Sequence, residues 1–594
     1  MPFAFDEAAL ADVGFLPSVL EALMQLYSKR TVYVLVLALV TLLAPASFGQ
    51  AIPAPGLQIG SPNTATADPP VTRPRTTPCV APLYSNIAFA DFSPKLFSFT
   101  PPAACPGPWA KVVLEADFSI QAGRQFDRTA NIWIGGTNVY FGTTSEPSRT
   151  VARSWHIERD LTDYSALFTT PQNGSVDLGN LVNSTFTSVL FGTAELQFYP
   201  LERRHDAPRT ADLVLPLSSS SIGGSVFLNT FANPLSQTFT LPRNVEGAFL
   251  DVIAQSQAND EFWYTCVPND VANELQSCGS TGFRESEVSI DGQPAGVAPV
   301  YPWIYTGGID PLLWRPIPGV QTLNFVPYRV DLTPFAGLLS NGQPHQVSVN
   351  VFNADFGFST TATLLLFLDH GSTQVTGELT DNTIGAGPTP SVVENLTNTN
   401  GNITGNVTVS SSRSFRLAGF AQTSHGRVET QVQQDIQFSN RQDFNITNTA
   451  FVQNITQDTT ISSVTTRRRG GEGDEGDDAT VQKLEWPLQL GFSFVVNPDG
   501  SASQTTTIQQ AYNKREVAPG DDGPTFTVVS NSVSPSDTLL FDSSFNITGH
   551  QNQASTQRYF SRDSGGECFS RAITAADGLL TSITDGAGCN DGRR

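Results

Sequence analysis

Methionine is nearly missing from this chain, with only Met1 and Met24 in 594 residues. Charge is sparse as well, at 15% of residues, which excludes a disordered polyelectrolyte whose repelling charges prevent collapse. A basic surplus is absent: 33 Lys and Arg stand against 55 Asp and Glu, for a net charge of −22 and a pI near 4.6. A nucleic-acid partner is thereby excluded, because phosphates demand a basic face. The acidity fits solubility outside the cell. None of the six histidines has nucleophile or metal-ligand spacing around it, and GxSxG, HExxH and CxxC are missing. That counts against a serine hydrolase, a metalloprotease and a structural zinc site. No segment keeps a helical period beyond about two turns, and no repeat of fixed period is present.

The apolar run at 32–43 is too short for a comfortable membrane span. Lys29 and Arg30 precede it and Pro45, Ala46, Ser47 and Gly49 follow, the pattern of a secretory signal peptide over 1–49. From Met24 the signal has ordinary length, so Met24 is taken as the true start; an uncleaved signal anchor is the alternative. The expected location is secreted, with the cell wall or a vacuolar lumen as variants, and no stable membrane span after cleavage. Six cysteines in such a chain favour disulfides and allow 15 connectivities. Proximity in sequence favours Cys79–Cys105, Cys266–Cys278 and Cys568–Cys589. Glycosylation sequons occur at Asn173, Asn183, Asn395, Asn402, Asn406, Asn445, Asn454 and Asn546.

What the chain has in quantity is Gly, Pro, Ser, Thr and Phe, the composition of an all-β protein with many turns. Residues 50–78, rich in Pro and Thr, read as an extended linker. Short apolar segments at 112–118, 130–134 and 189–198 form a first β-block over 79–210. A second block over 211–372 has strands at 213–217, 248–253, 285–290, 346–352 and 362–368, with Asp291-Gly292 as a hairpin turn. Beyond 373 only Trp486 remains of the seven tryptophans, and the polar, alternating pattern to 594 predicts a third β-rich region. Within it Arg467-Arg468-Arg469 and the acidic glycine run after it predict a disordered loop over 466–480, open to proteolytic nicking, as is Lys514-Arg515.

Four segments combine carboxylates with rings or cations. Asp127, in GRQFDR at 123–128, precedes a strand and is either a catalytic group at a sandwich edge or half of an Asp–Arg pair fixing a turn. Asp260 and Glu261 run into Phe262, Trp263 and Tyr264, either a sugar-binding surface or a core strand with a charged edge. Asp310, Trp314 and Arg315 lie in a Gly- and Pro-punctuated loop, where Arg315 orients a carboxylate or simply stiffens the loop. The segment from Ser145-Glu146-Pro147 to Tyr164, with Glu158, Arg159 and Asp160 alternating in sign, reads as structural.

Over residues 80–370 these motifs, in order, resemble the secreted peptide:N-glycosidases of the plant and fungal A type. The likeness includes IWIGG at 132–136, SEP at 145–147, ERDLTDY at 158–164, ADLVLP at 211–216, LPRN at 241–244, DEFWYT at 260–265 and IYTGGIDPLLWRPI at 304–317. LTPF at 332–335 and NGQPH at 341–345 extend it. The resemblance implies two jelly-roll-like antiparallel sandwiches side by side with the site between them. It also implies cleavage of the amide joining Asn to the first N-acetylglucosamine of an N-glycoprotein or glycopeptide, with no metal and no cofactor. Asp127 and Glu261 take the catalytic positions of the more distant bacterial branch. Arg128, Asp260, Trp263, Tyr264, Trp314 and Arg315 are the expected substrate contacts. The chain departs from the pattern at Asn138, where the family carries a Glu and an Arg nearby, and at Gln257, where it often has a His. The bacterial branch's third acid has no clear counterpart and aligns loosely near Asn183. A non-catalytic glycan-binding protein and an endo-acting glycoside hydrolase using Asp127 and Glu261 as an acid/base pair are the alternatives.

Overall fold

The computed structural model describes residues 56–589 apart from 204–206, 230–233, 356, 471–476 and 521–522. The expected signal segment, the possible start at Met24 and the first residues of the linker lie outside the described residues.

Two four-stranded antiparallel sheets build the first sandwich. One runs Cys79–Phe89, Leu190–Pro200, Trp109–Ile120, Arg153–Asp160, and the other Lys95–Phe99, Gln172–Asp177, Thr129–Ile134, Thr137–Thr143. Their facing side chains, among them Leu114, Phe118, Ile132, Tyr140 and Phe198, form one buried core. The second sandwich pairs a five-stranded sheet centred on Val245–Ser256 and Phe358–Leu368 with a four-stranded sheet of Leu235–Thr240, Pro344–Phe352, Glu285–Ile290 and Gln293–Pro299. Asp291 and Gly292 take positive φ of 50° and 78° in the expected two-residue hairpin, the geometry that follows strand twist.

From Thr376 to Asp585 the chain forms a 12-stranded antiparallel sheet with strands up to 22 residues long. Alternation writes itself plainly here: Phe415, Leu417, Val432, Ile436, Phe438 and Ile461 face inward while their neighbours along the strand face solvent. This inward face continues the core of the second sandwich without a break. Phe438 lies 4.9 Å from the Phe283 ring and 6.3 Å from Trp263.

Three expectations change. The segment 56–78 is no free linker: Gly60 donates to Leu580 O and Ala67 to Gln557 Oε1 on the C-terminal sheet, while Val71 N donates to Glu158 on the first sandwich. This proline-rich segment has no ladder, and its backbone is satisfied by backbone and side-chain groups on both sides. Arg73 completes this clamp by pairing with Glu115 and Glu158. Residues 466–470 and 477–480 are strand, not loop, in Ala450–Gly470 and Asp477–Glu485; 471–476 lie outside the described residues. The sequence places the basic and acidic runs one after the other, but strand pairing sets Arg467 opposite Asp478 on the following strand and Arg468 opposite Glu429 on the preceding one, opposite charges across strands. Finally, Cys266–Cys278 and Cys568–Cys589 are bonded, while Cys79 and Cys105 are adjacent free thiols. The Cys105 sulfur turns to the Phe198 carbonyl at 3.6 Å, and burial, with the hydrogen bond its thiol shares with Cys79, pushes it up to about 11.

Because one core serves the second sandwich and the C-terminal sheet, Phe438→Ala is expected to cost about 3–5 kcal/mol and to lower the denaturation midpoint of both together. Urea unfolding followed by tryptophan fluorescence and by far-UV dichroism checks this; two separated transitions would contradict a shared core.

Candidate active site

Thr129–Ile134 and Thr137–Thr143 are joined by Gly135-Gly136, both at positive φ. Their register pairs Thr129 with Thr143. Counting outward puts Asp127 opposite Ser145, just past the paired ends, with Glu146 the next residue along. The Asp127 N–H donates to Glu146 Oε2 at 2.8 Å, and the Arg128 N–H to Thr144 Oγ1 at 2.8 Å. Gln125, buried, donates to Leu181 O at 2.8 Å and accepts from Arg128 Nη2 at 2.7 Å, so the turn carrying Asp127 is held on both flanks.

The second sandwich covers this edge with the loop after residue 300. Thr143 N–H donates to Thr322 O at 2.9 Å, Thr306 Oγ1 to Thr144 O at 2.6 Å and Tyr140 Oη to Leu323 O at 2.7 Å. The contact brings Gly307 over the two carboxyls: a Cβ there would collide with Asp127 Oδ1 and sit 3.2 Å from Glu146 Oε2. On its other side the loop meets the Glu261 turn, since a Cβ on Gly308 would lie 3.0 Å from Phe262. Tyr305 links the two sides. Its hydroxyl donates to Ser256 O at 2.6 Å, and Ser256 Oγ donates to Glu261 O at 3.1 Å. Burial raises the Tyr305 phenol's pKa, and both the Glu261 and Asp127 carboxylates push it further up.

Glu146 carries the largest electrostatic consequence. Burial and then the Asp127 charge push it up to about 8, against the pull of Arg315, the Asp127 N–H and Arg153. Arg315 lies 3.9 Å from Glu146 Oε1 and donates to Pro147 O at 2.6 Å. Arg153 is itself lowered to about 9 by burial and the neighbouring Arg315. Two adjacent carboxyls, one keeping its proton through neutral pH, make an arrangement suited to acid and base roles.

The DEFWY segment is not a strand. Residues 258–260 and 263–265 are short 3-10 turns, and Ala258 has φ 52°. This sends Glu261 and Phe262 outward, half-buried, and the other residues inward. Asp260 is fully enclosed, paired with Arg284 at 2.7 Å and accepting from the N–H groups of Asp355 and Gly357. Trp263 and Tyr264 are core side chains. These three are therefore not surface contacts for a ligand. Trp314 is buried too and acts on the loop, donating from Nε1 to Gly308 O at 2.9 Å. Of the expected substrate contacts, Arg128 and Arg315 remain half-buried near Asp127 and Glu146. Asn183 Oδ1 accepts from Thr185 and Phe186 within its own turn; the acid beside Asp127 is Glu146. Asn138 is buried, donating to Asn131 Oδ1 at 3.0 Å, and Gln257 donates to Gln255, which bonds the Tyr305 hydroxyl.

Among the described residues Glu115, His156 and Glu158 are close enough to share a metal ion, but Arg73 bridges the two glutamates. The sequon residues Asn173, Asn183, Asn395, Asn402, Asn445 and Asn454 are exposed; Asn406 and Asn546 are half-buried, and Asn546 Nδ2 donates to Asp542.

Fold and site together define an all-β, two-sandwich protein with a carboxyl cluster at the joint. The model of the family described as peptide N-acetyl-beta-D-glucosaminyl asparaginase amidase A matches residues 72–383, just over half the chain, and the chain belongs to that family. Peptide-N4-(N-acetyl-beta-glucosaminyl)asparagine amidase A of Prunus dulcis is 28% identical over 552 residues, covering 88% of this chain and 92% of that protein. The solved structure of PNGF-II is 12% identical with TM-score 0.35, covering 49% of this chain and 65% of its own. Recombinant peptide: N-glycanase F is 13% identical with TM-score 0.32, covering 49% of this chain and 95% of its own.

Asp310, on the same loop, is buried against Asp537 of the C-terminal sheet. The two side chains hydrogen bond, and neither Oδ2 has an N–H donor, so the contact needs a shared proton. Burial and then Asp537 push Asp310 from 3.8 to about 7, with the His550 ring 3.2 Å from Asp537 and the Arg315 guanidinium facing Asp310. A raised carboxyl pKa stabilises the fold fully below the unfolded value and loses that contribution as pH rises through the folded value. The melting temperature is therefore expected to fall between about pH 4 and pH 7 more steeply in the wild type than in Asp310→Asn. Parallel melting curves across that range would contradict the shared proton.

Proposed function

We propose that this chain hydrolyses the amide between asparagine and the first N-acetylglucosamine of N-glycoproteins or glycopeptides. Water adds to the side-chain carbonyl carbon and the carbon–nitrogen bond breaks. The peptide keeps an aspartate and the glycan leaves as a glycosylamine, which then loses ammonia to water. An amide resists this because its nitrogen is a poor leaving group, so the site needs a base for water and an acid for nitrogen. Asp127 takes the water proton. Glu146, neutral through neutral pH, supplies a proton toward the leaving nitrogen. Arg315 steadies the oxygen charge, and Glu261 holds the core sugar against Phe262. The observation that carries this reading is the Asp127–Glu146 pair beneath Gly307, with one of the two carboxyls held protonated by burial. Family membership and the likeness to the Prunus dulcis amidase support the reaction class. Secretion accords with two disulfides and six exposed sequon asparagines. Among the described residues no helix is long and apolar enough to cross a membrane.

Mass spectrometry of a treated glycopeptide tests the reaction. Asparagine converted to aspartate supports it, whereas a single sugar left on asparagine indicates an endoglycosidase and an untouched glycopeptide a binding protein. Asp127→Asn is expected to lower kcat by at least about 100-fold with the melting temperature retained; an active variant would remove Asp127 from the reaction. In the pH profile, kcat/KM should fall as pH rises through about 8, because ionised Glu146 cannot donate and repels Asp127. Glu146→Gln should lower activity and erase that limb, and an unchanged limb would assign it elsewhere.

A further inference from the structure

The turn that carries Glu261 ends in three successive carbonyls, Tyr264, Thr265 and Cys266, that no strand ladder satisfies. The Ser277 hydroxyl donates to Thr265 O at 2.9 Å, and amides of the C-terminal sheet reach all three. Asn440 Nδ2 donates to Tyr264 O at 2.9 Å, Gln453 Nε2 to Thr265 O at 3.2 Å and Gln442 Nε2 to Cys266 O at 2.8 Å. These amides also bond one another: Gln453 Nε2 to Gln442 Oε1 at 2.7 Å and Gln442 Nε2 to Asn440 Oδ1 at 2.9 Å. All three are buried.

A second set grips the loop that lies over Asp127 and Glu146. Gln510 Nε2 donates to Pro302 O at 2.7 Å while its Oε1 accepts from Val320 N–H at 3.0 Å. Gln504 Nε2 donates to Ile309 O at 3.1 Å and Gln553 Nε2 to Arg315 O at 2.8 Å.

Packing alone does not need amides. An apolar residue of equal volume would close the same space but leave the loop carbonyls without these donors. What amides add is direction, because each fixes one backbone group at hydrogen-bond distance, and linked amides specify a single arrangement. The strands supplying them are long, paired on both sides and continuous with the core, whereas the held segments are loops.

We propose that this inward row of amides, with Gln442, Gln453, Gln504 and Gln553 as its chief members, consists of positioning residues for the reaction. The C-terminal sheet is then the template on which the Glu261 turn and the Gly307–Arg315 loop are set against Asp127 and Glu146, and not a separable accessory. This rests on the amidase reading for its kinetic consequence; the anchoring itself does not.

The test uses the full chain. Gln442→Glu keeps the shape but puts carboxylate oxygen against the Cys266 carbonyl. Gln504→Ala, at a half-buried position, is the milder change should Gln442→Glu fail to fold. Gln433→Ala, on the solvent face of the same strand as Gln442, is the control. Well below each variant's melting temperature, kcat for glycopeptide should drop about tenfold or more while KM moves less than about threefold. Amide hydrogen exchange should speed up at 261–267 in Gln442→Glu and at 305–315 in Gln504→Ala. The control should change neither. Unchanged exchange in the folded variants overturns the proposal, as does faster exchange with unaltered kcat. If the wild type releases no glycan at all, the amidase reading fails, and the exchange measurement still decides whether the sheet holds the loops.

Discussion

The site depends on the docking of one loop of the second sandwich, residues 302–325, against the edge strand Thr137–Thr143 of the first. Thr143 to Thr322 ties backbone to backbone, and Thr306 to Thr144 and Tyr140 to Leu323 tie side chain to backbone, across the joint. Phe141 against Phe325 at 5.3 Å supplies apolar burial beside them. Without this contact Asp127 and Glu146 would be an open pair on a sandwich edge, and water would screen both. With it, Gly307 closes over them and Glu146 keeps its proton. The missing side chain at Gly307 is thus a condition of the chemistry: the next larger residue would occupy the Asp127 carboxylate's own space.

A hierarchy of support stands behind that contact. The enclosed Asp260–Arg284 pair fixes the start of the Glu261 turn, with Arg284 also donating to three backbone carbonyls. Removing one member of such a pair leaves a buried charge, a loss of about 3–5 kcal/mol, so the pair resists substitution although it touches no substrate. Cys266–Cys278 closes the far side of the turn. The buried aromatic side chains of 263–264 and 314 then fill the space behind. Residues that look like a sugar-binding surface in the sequence are therefore the floor on which the outward residues rest.

Much of the fold was legible. Strict alternation marks the long C-terminal strands, and Asp291-Gly292 marks its hairpin, because both signals are local. The Gly135-Gly136 turn was legible too, but following its hairpin outward sets Asp127 opposite Ser145, one residue short of Glu146; the hydrogen bond from the Asp127 N–H, which appears only in the folded chain, picks out Glu146 as the neighbouring acid. The face of each residue in DEFWY was not legible. Strand alternation and 3-10 turns distribute the same five residues differently, and Ala258 at positive φ, which decides between them, carries no mark in its residue type. Arg467 and Asp478 misled for a related reason, since residues close in sequence became partners across a sheet.

The sequence by itself determined the β class, the hairpins, the two carboxylate segments and the absence of the usual nucleophile and zinc motifs, because these follow from periodicity, turn chemistry and residue type. Only the tertiary structure decided that Asp260, Trp263 and Tyr264 face inward, that Glu146 stays neutral and that glutamines nearly two hundred residues away hold the loops of the site. Burial, charge–charge distance and the matching of amides to carbonyls are properties of chain segments brought together from afar, and no local pattern encodes them.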